Sequence, residues 1–134
     1  QQHEKIFEHY RRRIKVRINL VELKTYNSNK KGQLEKKEIL KYLNKDDSVI
    51  VLDQCGENLS SMKFSEILKD KIDSGCKKLN FIIGSEEGLD DYFKKSFQSI
   101  AFGNQTWPHL LVRVMLIEQI YRSFEIIKNS SYHR

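Results

Sequence analysis

Ser48-Val49-Ile50-Val51-Leu52 is a short apolar run that closes at Asp53. It lacks the polar alternation of a half-wet strand, so it reads as a parallel strand covered on both faces. Leu79 to Ile83 is a second run of the same kind. Between the two, Phe64, Ile67, Leu68 and Ile72 give a helix one buried stripe, with Ser60 or Ser61 to cap its start and Gly75 to end it. Short strand and helix patterns in alternation are the signature of an α/β sheet.

The rest of the chain extends that pattern in both directions. Downstream, Asp90 to Phe97 reads as a short helix and Gln98 to Phe102 as a third strand feeding the Gly103 to His109 loop. Upstream, Glu4 to Ile14 reads as an amphipathic helix with Ile6, Phe7 and Tyr10 inward. Val16 to Leu23 reads as a strand with one wetter face, Asn27 to Gly32 as a loop, and Gln33 to Leu43 as a helix. No internal repeat or low-complexity tract interrupts the 134 residues, which form a single expected domain, 1–134, with a mainly parallel sheet flanked by helices.

Thr106-Trp107-Pro108-His109 runs straight into an apolar helix, Leu110 to Ile127, and the sole proline marks its start. At about 100° per residue, Glu118, Gln119, Arg122 and Glu125 share one side, and Leu110, Leu116, Ile117, Ile120, Phe124 and Ile127 share the other. Arg113 falls in the middle of the apolar side. Its guanidinium cannot shed its charge, so it requires a structural ion pair, or else a ligand or a dimer partner.

The formal charge is +6, and it is uneven: residues 1–45 carry 13 Lys+Arg against 5 Asp+Glu, whereas the remainder carries 11 against 13. A polyanion such as nucleic acid would therefore meet the N-terminal part, at Arg11-Arg12-Arg13 above all, unless those residues are simply a solvated helix face. No run approaches the roughly 18 to 20 apolar residues of a membrane span. Cys55 and Cys76 are too few and too far apart for a disulfide framework or a metal site, which fits a reducing compartment. Residue 1 is Gln, so the sequence is expected to be a trimmed or processed form of something longer.

In open parallel sheets, ligands lie beyond the carboxyl ends of the strands. Three loops converge there: Leu52-Asp53-Gln54, Gly84 to Gly88, and Phe102 to Pro108. Gly84-Ser85-Glu86-Glu87-Gly88 lacks the glycine spacing and the lysine of phosphate loops, and its glutamates would repel a pyrophosphate. A ligand with a positive centre or a neutral nucleoside is easier to accept. No serine sits in a nucleophile elbow, and His3, His9, His109 and His133 show no metal-ligand spacing, so acyl transfer and a metal centre lack support.

The series Val49 to Asp53, Gly56, Leu59-Ser60, Phe81 to Gly84, Glu87-Gly88-Leu89, Thr106, Pro108-His109, Arg113, Glu118 to Arg122 and Tyr132-His133 resembles the RlmH family over nearly the whole chain. Those are SPOUT-class methyltransferases acting on N3 of a pseudouridine in large-subunit ribosomal RNA. The resemblance implies a C-terminal trefoil knot, a homodimer without metal or membrane, and S-adenosylmethionine as cofactor. Donor contacts would fall on Leu52, on Gly84-Ser85, and along Gly103, Asn104, Gln105, Thr106, Trp107 and Pro108. Arg113, His133 and His109 would carry the catalytic roles, as anion-stabilising groups or proton acceptor. Arg11, Arg12, Arg13, Tyr132, His133 and Arg134 would face the RNA, with Tyr132 available to stack on the target base. The expected location is the bacterial cytoplasm, or alternatively a plastid or mitochondrion. Two departures stand out: Ser85 replaces the second glycine usual in the family, and the family's first strand is missing. Both favour an alternative, a non-catalytic RNA- or ribosome-binding module with weakened donor binding; His109, Arg113 and Tyr132-His133 favour the enzyme.

Overall fold

Val49 and Val51 lie on one side of the sheet, and Ile50 and Leu52 lie on the other, because successive side chains of a strand point to opposite faces. All four are buried, so each face needs its own cover of helices. The computed structural model describes residues 2–23, 30–84, 89–129 and 132. Its elements are α1 (Gln2–Arg11), α2 (Lys31–Leu40), β1 (Ser48–Asn58), α3 (Ser61–Asp73), β2 (Leu79–Ile83), α4 (Asp91–Ser96), β3 (Gln98–Ala101) and α5 (His109–Ile127). The three strands are parallel in the order β2-β1-β3, with Ile50 opposite Phe81 on one side and Gln98 on the other.

One core joins Ile50, Leu52 and Ile100 to Phe7 of α1, Phe64 and Leu68 of α3, and Leu116, Ile117 and Ile120 of α5. The second core joins Val49, Val51 and Ile82 to Ile39 of α2, Leu89, and Phe93 of α4. Each fully buried Val, Ile or Phe contributes about 1.5–3 kcal/mol relative to exposure. The central strand, buried on both sides, therefore carries much of the fold.

Local chemistry sets the helix ends. Ser60 Oγ accepts from Lys63 N at 3.1 Å to start α3, and Gly75, at φ +79°, ends it. Asp90 accepts from Tyr92 N at 2.9 Å to start α4. Pro108 precedes α5 as its N-cap, and its carbonyl accepts from Leu111 N and Val112 N, both at 3.0 Å.

Two elements differ from the sequence expectation. Residues 15–23 form no regular element, with a bend at 15–16, and no strand among the described residues pairs with them. Val16, Leu20 and Val21 are about half exposed, whereas Ile18 packs on the first core and Leu23 on the second. Alternation marks which side would be buried; it does not supply a neighbouring strand. The second difference is β1, which does not end at Asp53. Leu52 and Glu57 both stand opposite Ile100 of β3, and Asn58 then pairs with Ala101. Residues 53–56 thus bulge out of the ladder before the strand returns.

Gly56 makes the return possible. A Cβ there would lie 2.7 Å from Ile100 N and 2.8 Å from the carbonyl carbons of Ser99 and Ile100, all main-chain atoms that cannot step aside. We expect Gly56→Ala to lower the unfolding free energy by about 1–3 kcal/mol, as overpacking does. Urea denaturation checks this, and an unchanged midpoint would contradict the close approach.

Candidate functional site

The excursion of β1 at Asp53 to Gly56 builds one wall of a cleft at the carboxyl ends of the three strands. Its floor is apolar, from Leu52, Ile83, Leu89, Ile100, Ala101 and Val112. Its rim is polar, from Asp53, Gln54, Lys94 and Thr106, and the backbones of Gly84 and Gly103 also face it. Gly84 is pressed so closely on Leu89 that a Cβ there would lie 2.6 Å from Leu89 Cγ. An apolar slot edged by main chain suits a flat, weakly polar group such as a purine, and the charged rim suits a zwitterionic tail. These donors fit an adenosyl amino-acid cosubstrate.

Four side-chain bonds hold the loop between β3 and α5. Asn58, at the end of β1, accepts from Gly103 N at 2.9 Å through Oδ1 and donates from Nδ2 to Asn104 Oδ1 at 2.6 Å. Thr106 Oγ1 donates to Gln54 Oε1 across the cleft mouth. Trp107 Nε1 donates to the Phe102 carbonyl at 2.8 Å, folding the indole over the loop it belongs to. Gly103 takes φ +91°, a conformation a side chain would strain.

Asp53 and Lys94 face each other across the rim at 3.8 Å, a separation too long for a hydrogen bond. The Asp53 side chain is only 11 % exposed, and its other oxygen accepts from Cys55 N at 3.2 Å. Sequence reasoning named Asp53 as part of a candidate loop but missed Lys94 and Cys55. A lysine on a six-residue helix carries no pattern of its own. Only the crossover that sets α4 beside the end of β1 reveals it.

The expected site residues are distributed as follows. Leu52, Gly84, Gly103, Gln105, Thr106, Trp107 and His109 line the cleft, and Asn104 and Pro108 belong to the same loop. Ser85, His133 and Arg134 lie outside the described residues. Arg113 does not line the cleft: its Nη1 lies 2.7 Å from Glu22 Oε1, and its side chain is 12 % exposed. Of the readings open from the sequence, the structure displays the ion pair, which fastens the irregular 15–23 segment to α5. Tyr132 lies against α5 at Glu118, Tyr121 and Arg122.

On α1, Arg11 is engaged by Glu8 through Nε at 2.8 and 2.9 Å and Nη2 at 2.6 Å. That contact holds the Glu8 carboxyl below its ordinary range and the Arg11 guanidinium above its own. The hydrogen bonds described for Arg12 and Arg13 go to the carbonyls of Glu8 and His9 and to the His9 ring; the Glu8 carboxylate, engaged by Arg11, also feels the Arg12 charge. Among the described residues, no three His, Cys, Asp or Glu side chains gather as a metal site would require, and no helix is long and apolar enough to cross a membrane.

The family model described as "Predicted SPOUT methyltransferase" matches residues 1–133. The chain is 42 % identical over 110 residues to "Ribosomal RNA large subunit methyltransferase H" of Flavobacterium psychrophilum, covering 81 % of this chain and 68 % of that protein. The protein of the same name from Caldicellulosiruptor saccharolyticus is 39 % identical over 136 residues, covering 95 % and 88 %. That from Mycoplasmopsis agalactiae is 37 % identical over 121 residues, covering 87 % and 79 %. A parallel sheet with its cleft at the strand ends, matched along almost all its length, belongs to the SPOUT methyltransferase family.

Proposed function

We propose that this chain methylates large-subunit ribosomal RNA, with S-adenosylmethionine as donor and N3 of a pseudouridine as acceptor. The observation that carries the reading is the cleft itself, whose apolar floor, glycine main chain and charged rim match the parts of that donor. When bound, the donor supplies a methyl group activated by a sulfonium. The protein's own residues position and desolvate. The floor from Leu52 to Val112 excludes water, and the loop from Gly103 to Pro108 closes one side. Lys94 and Asp53 would hold the carboxylate and ammonium of the amino-acid end. Their mutual distance leaves both free to exchange partners. His109, at the start of α5 and on the cleft wall, takes the N3 proton as the target nitrogen attacks. Arg12 and Arg13 offer charge to RNA phosphates. The site of action is the bacterial cytoplasm, where that ribosomal RNA is.

Two finer features belong to the same reading. The loop segments around the cleft thread into a trefoil knot, and two chains pair as a homodimer. Beside the cleft, an apolar groove is lined by Ile6, Tyr10, Leu59, Phe64, Val114 and Met115. Ile6 and the neighbouring Leu111 are exposed in the single chain, and a second copy would cover them.

A ligand that binds only the folded state stabilises it by RT ln(1 + [L]/Kd), about 2.7 kcal/mol at a hundredfold excess over Kd. S-adenosylmethionine and its demethylated product should therefore each raise the melting temperature by several degrees. An unmoved transition at saturating donor, with ribosomal RNA still bound, would favour the non-catalytic module instead. Lys94→Met should weaken S-adenosylmethionine about tenfold, roughly 1.4 kcal/mol, while methylthioadenosine, which lacks the amino-acid end, binds as before. Equal weakening of both ligands would remove Lys94 from that role. Met115→Glu should shift the protein toward monomer in sedimentation equilibrium; an intact dimer would place the interface elsewhere.

A further inference from the structure

The described contacts of Tyr132 are unusually complete for a residue so close to the end of the sequence. Its hydroxyl donates to Glu118 Oε2 at 3.0 Å and also bonds to Tyr10 of α1. Its ring meets Tyr121 at 4.8 Å and 85°, an edge-to-face pair, and the Arg122 guanidinium lies over it at 5.0 Å. Tyr121 in turn touches the Tyr10 ring at 5.6 Å.

The acceptor of that bond is itself fixed. Arg122 holds the Glu118 carboxylate through Nε at 3.2 and 3.1 Å and Nη2 at 2.9 Å, which raises the Arg122 pKa. Gln119 Nε2 donates to Glu118 Oε1 at 3.0 Å, while Gln119 Oε1 accepts from Ser61 Oγ of α3 at 2.7 Å. Helices α1 and α5 thus meet the phenol directly, and α3 supports its acceptor through Ser61 and Gln119. Partial desolvation, the Tyr10 hydroxyl and the Glu118 carboxylate together push the Tyr132 hydroxyl above the ordinary range, so it stays protonated at any physiological pH, although the residue keeps 38 % of its surface exposed.

We propose that Tyr132 is a positioning residue that pins the end of the chain to the α1–α5 surface, rather than an aromatic platform for the target base. A guanidinium already covers a face of its ring, and its hydroxyl is spent within the chain. Its anchor is also remote from the cleft of its own chain. Tyr121 is about 18 Å from His109 along the axis of α5, at 1.5 Å per residue. The inference rests on the methyltransferase reading only for its effect on turnover.

Three variants separate a pin from a stacking platform. Tyr132→Phe keeps the ring and loses the hydroxyl; Glu118→Gln keeps the fold and loses the charged acceptor; Tyr132→Ala loses both. For a pin, Tyr132→Phe and Glu118→Gln should each lower kcat about three- to tenfold with donor Kd and melting temperature nearly unchanged. Combining them should cost less than the two separate effects multiplied together, because both weaken the same bond. Tyr132→Ala should fall further. Fully active Tyr132→Phe and Glu118→Gln beside an inactive Tyr132→Ala would overturn the pin in favour of stacking. Tryptic cleavage after Lys128 reads the pin without any activity, since proteolysis follows the population of the detached end. It should run severalfold faster in all three variants than in the wild type. Unchanged cleavage would also overturn the pin. A wild type that cuts slowly yet transfers no methyl group would sink the methyltransferase reading alone.

Discussion

The close approach of β1 to β3 at Gly56 is the constraint on which the cleft depends. A strand that ended at Asp53 would leave a simple turn at the rim of the sheet. Because β1 pairs with Ile100 a second time, residues 53–56 are forced outward, and Asp53 and Gln54 are held over the strand ends. The same return delivers Asn58 to the far side, where it holds Gly103 and Asn104. One missing side chain therefore shapes two of the walls.

The parts of this arrangement differ in how clearly the sequence announces them. Residues 49–52 and Leu79 to Ile83 are apolar throughout because both their faces are covered, and that condition is written locally. The ends of α3 and α4 are also local, since Ser60, Asp90 and Gly75 act within a few residues of their own positions. The bulge is different: Gly56 reads as an ordinary turn glycine until Ile100, far along the chain, is known to lie against it. Lys94 fails for the same reason: its place beside Asp53 comes from the crossover topology and not from spacing. The segment from Val16 to Leu23 misleads in the opposite sense, because its alternation is real but the ladder it suggests is not formed by any described strand.

The family resemblance supplied the loop from Gly103 to Pro108 and the residue Leu52 as a donor site, and geometry places most of them around one cleft. Arg113 stands where the resemblance puts a catalytic cation, yet Glu22 lies 2.7 Å from it. With the carboxylate largely in solvent and the guanidinium largely covered, the pair's main effect is to decide where the irregular 15–23 segment runs, since exposed ion pairs add little stability.

Stability is also distributed in a way that suits a ligand site. Beneath the cleft, Ile50, Val51 and Ile100 are almost wholly buried, so that layer opens only with global unfolding. Above it, the loop leading into α5 is held by a few bonds at the surface, from Asn58, Gln54 and Trp107, each worth about 0.5–1.5 kcal/mol. A deeply buried floor beneath a loop held by a few surface bonds suits a ligand whose apolar part must be desolvated. The rigid part fixes where the reactive group will sit; the weak part sets how it gets there. Helix α5 ties the two, because its first turn borders the cleft while its middle is packed in the core.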